Sequence, residues 1–334
     1  MEVAESIIMH KSLSSYDRTE FRSVLDQFVH PSENVYLPSQ LKGRQDSLRD
    51  LRDCFETNGA QAFIWGPRGV GKSSLAHTSC EQHHDIVELV SAVACEHDTT
   101  INSLMADIVR EVVKRGKVEV NGKDFAAKIS LFGLEVSGKL VNPAELKIDS
   151  VNHSVDLLST ICSTIIAGGK RPVIIIDEFE RMASGEVKRH FTDLVKQMSA
   201  KGLPVKFIFC GVATSLTDLL GQHASAERYI QQLELRPLSL GALMDIIGDV
   251  EAQFELEFTR GQKMRIAQIS DGYAHFTHLI LKNVLLECYE AGLQEPVVPD
   301  HLYREGINRS VGQVADRLRR KFEEATQKGT DVFI

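Results

Sequence analysis

No apolar run in the 334-residue chain approaches the ~18 residues that a membrane-spanning helix requires. Near the start, the patch Ile7 to Met9 is too short for the core of a secretory signal, so no membrane association and a cytoplasmic location are expected. The six cysteines, Cys54, Cys80, Cys95, Cys162, Cys210 and Cys288, include no pair at C-x-x-C spacing, which leaves reduced, mostly buried thiols as the expectation. Positive charge is also short. Lys plus Arg against Asp plus Glu gives 38 − 46 = −8, which argues against a surface coated with nucleic-acid-binding charge while leaving room for a local basic patch. There is no internal repeat and no low-complexity tract. What remains is an ordinary globular balance, 43% hydrophobic and 25% charged, with length for roughly two domains at about 150 residues each.

Residues 1–34 are polar, with one short helix expected over Thr19 to Val29. Val35 to Pro38 runs extended, because a residue before proline avoids the helical region. Leu48, Leu51 and Phe55 then share a helix face. Strands are expected over Ala62 to Trp65, Ile86 to Val93, Val173 to Ile176 and Val205 to Cys210. The β-branched run at 173–176 marks a strand buried on both faces of a parallel sheet. Helices alternate with these strands at Ser73 to His83, about Ile101 to Val112, Val151 to Ile165 and Glu186 to Ser199. Between Gly116 and Asn142, Ile129, Leu131, Leu134 and Val136 alternate around Phe132-Gly133, a hairpin signal over about 126–138 flanked by Lys123, Lys128 and Lys139. From Leu216 onward the pattern reads mostly as helix, at about 216–221, 239–255, 260–269 and 275–291. The fold class is therefore α/β, a three-layer parallel sheet followed by a C-terminal helical lid.

Gly66-Pro67-Arg68-Gly69-Val70-Gly71-Lys72-Ser73 fits G-x-x-x-x-G-K-[ST] and stands between an apolar strand and a helix. The glycines let backbone N–H groups curl around phosphate oxygens, and the new helix aims its positive end at the same anion. Lys72 can reach the outer phosphates, Ser73 can ligate Mg²⁺, and Ser74 follows on the same helix turn. Farther on, Val173-Ile174-Ile175-Ile176-Asp177-Glu178 is a buried strand ending in two carboxylates. Asp177 is expected to hold the metal and Glu178 to activate water. Asn121-Gly122-Lys123-Asp124 has the letters of a guanine motif in the wrong order, so ATP is preferred over GTP.

Over about residues 35–290 these motifs resemble an AAA+ ATPase, in particular the branch of origin-recognition and replication-initiator ATPases with its bacterial, transposition-regulator-like relatives. The resemblance implies further roles. Leu37-Pro38, Leu41 and Gly43-Arg44 look like the family's opening motif, which makes Val35, Leu37 and Arg44 candidates for the adenine pocket. Gly211 to Leu216 looks like the first sensor, with Thr214 where relatives often carry Asn; a hydroxyl still bonds water, and an N-cap role for Thr214 or Ser215 is the alternative. Arg228 matches the rim arginine that reaches a neighbouring subunit's γ-phosphate, with Arg236 as second choice. His275 stands at the second-sensor spacing from Gly272, where packing or helix capping is the alternative. Insertions at the hairpin's position often face a central pore in such assemblies.

The domain expectation is an N-terminal segment 1–34, a nucleotide-binding domain 35–235 with a hairpin insertion at about 116–142, a helical lid 236–297 and a helical tail 298–334. In the tail, Ile307, Val311, Val314, Leu318 and Phe322 share one helical face, and residues 309–321 hold five cations against one acid. By resemblance, the chain is expected to bind ATP with Mg²⁺, to hydrolyse it as a homo-oligomer and to remodel or switch a protein partner, with DNA as a second partner class. The alternatives are a nucleotide-gated platform with little turnover, and a DNA-assembled regulator of a mobile element or phage-defence system.

Overall fold

The computed structural model describes residues 11–29, 31, 35–115, 135–137, 140–142, 148–182, 185–212 and 227–330, of which 135–137, 140–142, 227 and 316–330 are described by backbone alone. Its strands are β1 (Gln61–Trp65), β2 (Val87–Ala94), β3 (Glu135–Ser137), β4 (Leu140–Asn142), β5 (Arg171–Asp177), β6 (Lys206–Gly211) and β7 (Ile230–Glu234). Five of them form a parallel sheet in the order β2-β5-β6-β1-β7. Its helices are α1 (Arg18–Phe28), α2 (Gln45–Glu56), α3 (Lys72–Gln82), α4 (Ile101–Lys114), α5 (Val151–Ala167), α6 (Gly185–Ala200), α7 (Leu240–Phe254), α8 (Arg260–Ser270), α9 (Ala274–Glu290) and α10 (Asp300–Thr330).

Successive side chains of a strand point to opposite faces, and here both faces are covered. Phe63, Ile174, Ile176, Phe207 and Phe209 enter one core with α4, α5 and α6. Ala62, Ile64, Val173, Ile175, Ile208 and Cys210 enter the other with α2 and α3. The apolar runs in the sequence reflect this double burial. The far end of the sheet is fastened by cations. Lys206, 2% exposed, donates to the carbonyls of Cys54, Thr57 and Ala60, and Arg171 donates to the Phe55 carbonyl. Both sit at the C-terminus of α2, where unpaired carbonyls favour positive charge.

The chain divides into two compact units, Asn34–Arg236 and Met1–Glu33 with Pro237–Ile334. The N-terminal helix, expected as a separate segment, clusters with the lid and tail. Phe21 of α1 is fully buried, stacked on Tyr289 with ring centroids 4.0 Å apart and edge-on to Phe254 at 6.0 Å. Gly272 has φ +78°, and a Cβ there would stand 2.5 Å from the Pro237 Cβ, so this turn demands glycine for packing. In the tail, Ile307 packs on the helical core whereas Val311 is 57% exposed. Among the described residues no helix is long and apolar enough to cross a membrane. All six cysteines are free and buried.

One expectation changes. Strand β7 lies in a stretch read as mostly helical; its sequence Ile-Gln-Gln-Leu-Glu lacks an apolar run because only Ile230 and Leu233 are buried. A hairpin pairing is present inside the expected insertion. Its paired strands are Glu135–Ser137 and Leu140–Asn142, antiparallel, with Val136 opposite Val141. Residues 126–134, and the helix expected at 216–221, lie outside the described residues.

Candidate functional site

The phosphate loop is formed where β1 ends and α3 begins. Gly66 has φ +152°, and a Cβ there would lie 2.3 Å from the Leu235 carbonyl oxygen at the end of β7. Gly69 and Gly71 also have positive φ, so the loop adopts a course that side-chain-bearing residues rarely follow. Lys72 Nζ donates to the carbonyls of Gly66 and Pro67, each at 2.9 Å, and so lies back across its own loop. Burial pushes the Lys72 ammonium below its usual value, and among the carboxylates Glu180 opposes that most.

Asp177 closes β5 two strands away from β1, with β6 between them. The Ser73 hydroxyl donates to its Oδ2, and the Glu178 amide donates to its Oδ1 at 2.8 Å. A hydroxyl and a carboxylate in contact are a pair of hard oxygen donors, the set that suits Mg²⁺. Ser73 and Asp177, brought together from separate elements, therefore fit the expected metal site. Glu178 sits at φ +49°, and its side chain pairs with Arg181 at 2.5 Å. Phe179, fully buried between the two glutamates, anchors this turn against Phe209 of β6 with centroids 4.9 Å apart.

The extended stretch before α2 is tied to α3. The Val35 amide donates to the Ser74 hydroxyl at 3.1 Å, and the Thr78 hydroxyl donates to the Val35 carbonyl at 3.0 Å. Leu37 and Tyr36 are half exposed beside it. Arg44 is buried, and one amino group donates to the carbonyls of Val70 and Arg236, at 2.9 and 2.8 Å. It braces the phosphate loop against the segment after β7. Desolvation lowers its pKa to about 10.

The remaining candidates have other partners or fall outside the described residues. Arg228 is exposed just before β7, with its guanidinium 4.8 Å from the Tyr229 ring centre, a cation–π contact. Arg236 pairs with Glu234 at 2.9 Å. His275 belongs to the helical unit, where its Nδ1 bonds the Pro31 carbonyl. Thr214 lies outside the described residues. Sequence reasoning missed Thr78, Arg181 and Glu180. Glu180, two positions beyond Glu178, was visible as a third acid; Thr78 and Arg181 carried no signal of their partners.

An AAA domain family model matches residues 56–220. The span contains the phosphate loop, Asp177 and the strands between them, so over residues 56–220 the chain carries an AAA domain with a phosphate loop. Its fold is similar to a Walker-type ATPase of Pyrococcus abyssi (14% identity, TM-score 0.60, covering 89% of this chain and 79% of that one). It is also similar to the Orc1 protein of Aeropyrum pernix, solved in complex with DNA (13% identity, TM-score 0.53, covering 82% of this chain and 67% of that one). No curated protein sequence matches the chain.

Proposed function

We propose that this chain binds ATP with Mg²⁺, hydrolyses it as a homo-oligomer, and uses the cycle to remodel or switch a protein or DNA partner. The observation that carries the reading is the contact between Ser73 and Asp177, with Lys72 and Glu178 next to them in the chain. Lys72 exchanges its loop carbonyls for phosphate oxygens. Ser73 and Asp177 hold the metal, which when bound offsets charge on the phosphates. Glu178 takes the proton of the attacking water after leaving Arg181. Thr214 orients that water, and Arg228 reaches the γ-phosphate of a neighbouring subunit, a contact worth ~10³–10⁵ in rate for arginine fingers. Val35 and Leu37 cover the base. The Orc1 neighbour, described with DNA, and the cationic stretch 309–321 support DNA as a partner class.

The deciding experiment is the solution mass of Glu178→Gln with Mg-ATP and with Mg-ADP. An ATP-dependent assembly abolished by Arg228→Ala supports the trans-acting site. A monomer in both nucleotides, with ATP binding confirmed, removes Arg228 from the mechanism. The pairing of Glu178 with Arg181 favours a second reading, a nucleotide-gated platform with slow turnover. Turnover that stays slow with every partner tested, while ATP drives assembly, would support that one.

A further inference from the structure

Because β6 lies between β1 and β5, the segment leaving it starts between the phosphate loop and the Asp177–Glu178 turn. One carboxylate touches all three places. Glu180 sits in the short 3-10 turn Phe179–Arg181, fixed by the buried Phe179. Its Oε2 accepts the Val212 amide at 3.1 Å, at the exit of β6. Its Oε1 stands 4.0 Å from the Arg68 guanidinium in the phosphate loop. The Glu180 side chain is 22% exposed against 39% for Glu178, so it is the more enclosed of the two glutamates.

We infer that Glu180 is a positioning residue for hydrolysis, tying the phosphate loop and the Asp177–Glu178 turn to the backbone that leaves β6. This rests on the ATPase reading above. A carboxylate accepting a backbone amide makes a charge-assisted bond, stronger than a neutral one. Arg68 is 66% exposed, so its ion pair is the weaker arm and the Val212 bond the stronger. The bond pins the turn that follows Glu178 to the exit of β6, and so sets where that glutamate stands against the phosphate loop. Neither arm is an inward contact with a phosphate, so the role differs from that of Lys72 or Asp177.

The test compares the full chain with Glu180→Ala, which loses both arms, and Glu180→Gln, which keeps an acceptor for Val212. Amide hydrogen exchange and ATP turnover are measured on each. Glu180→Ala is expected to speed exchange at Val212 and to lower kcat, each about tenfold, with KM changed by less than roughly threefold. Exchange at Phe63 and Ile64 in β1 stays unchanged, and Glu180→Gln recovers most of both effects. Wild-type exchange at Val212 in Glu180→Ala overturns the tie. A kcat loss accompanied by faster exchange throughout β1 reduces Glu180 to a structural residue and overturns the positioning role. A wild-type chain without turnover defeats the ATPase reading and the positioning role with it, while the Val212 exchange still decides whether the tie exists.

Discussion

The Ser73 hydroxyl donates to the Asp177 carboxylate although the two residues are 104 positions apart. One opens α3 and the other closes β5, so the contact depends on the sheet order as a whole. If both oxygens hold the proposed metal, neither substitutes for the other. Asp177→Asn is therefore expected to lower ATP turnover by at least about 100-fold, within the range of transition-state charge stabilisation by metals. Nucleotide affinity without Mg²⁺ should change little. Phosphate release, and titration of a fluorescent ATP analogue with and without Mg²⁺, check both parts.

Arg181 holds Glu178 through an ion pair in which both side chains are well exposed. Such pairs contribute about 0.2–1 kcal/mol. Releasing Glu178 by Arg181→Ala is expected to raise basal turnover by roughly 1.4-fold to fivefold, the rate equivalent of that energy. A steady-state ATPase assay settles it, and an unchanged or lower kcat would show that the pair does not restrain the glutamate.

Thr78 and Ser74 hold the Val35 backbone on α3. Thr78→Val keeps the shape and removes the donor to a buried carbonyl, a loss of about 1–2 kcal/mol. If the strap covers the base, ATP affinity falls by roughly 5-fold to 30-fold while saturated turnover is retained. Equilibrium binding alongside kcat distinguishes this outcome from general destabilisation.

Lys206 serves three carbonyls from a buried position, and burial pulls its pKa down to about 8 from the usual 10.5. Between those two values the unfolded chain binds more protons than the folded one, so this group adds stability as pH rises from 8 to 10.5. Lys206→Met is expected to lower stability by about 2–4 kcal/mol at pH 7, through unpaired carbonyls. The gap to the wild type widens over pH 8 to 10.5, because only the wild type gains there. Trp65, the single tryptophan, lies on β1 of the same sheet and reports urea unfolding by fluorescence.

Much of the site was legible before the structure because its parts are local. Gly66 to Ser73 encode a turn and a helix start within one stretch, and Val173 to Asp177 encode a doubly buried strand ending in an acid. The helices α7, α8 and α9 fall within one or two residues of their expected bounds, since apolar periodicity and caps such as Ser239 and Thr259 are also local. Strand β7 escaped because only Ile230 and Leu233 of its five residues are buried, too few for an apolar run.

The sequence by itself determined that this chain has a phosphate loop, a strand-end acid and a parallel sheet under helices, because each is written in neighbouring residues. Only the tertiary structure decided which distant groups meet. It set Asp177 against Ser73, Arg44 beneath the Val70 carbonyl, Lys206 at the end of α2, and Glu180 on Val212. These pairings follow from the order β2-β5-β6-β1-β7. That order is settled by the burial of whole sheet faces, a free energy summed over many side chains that no single motif contains.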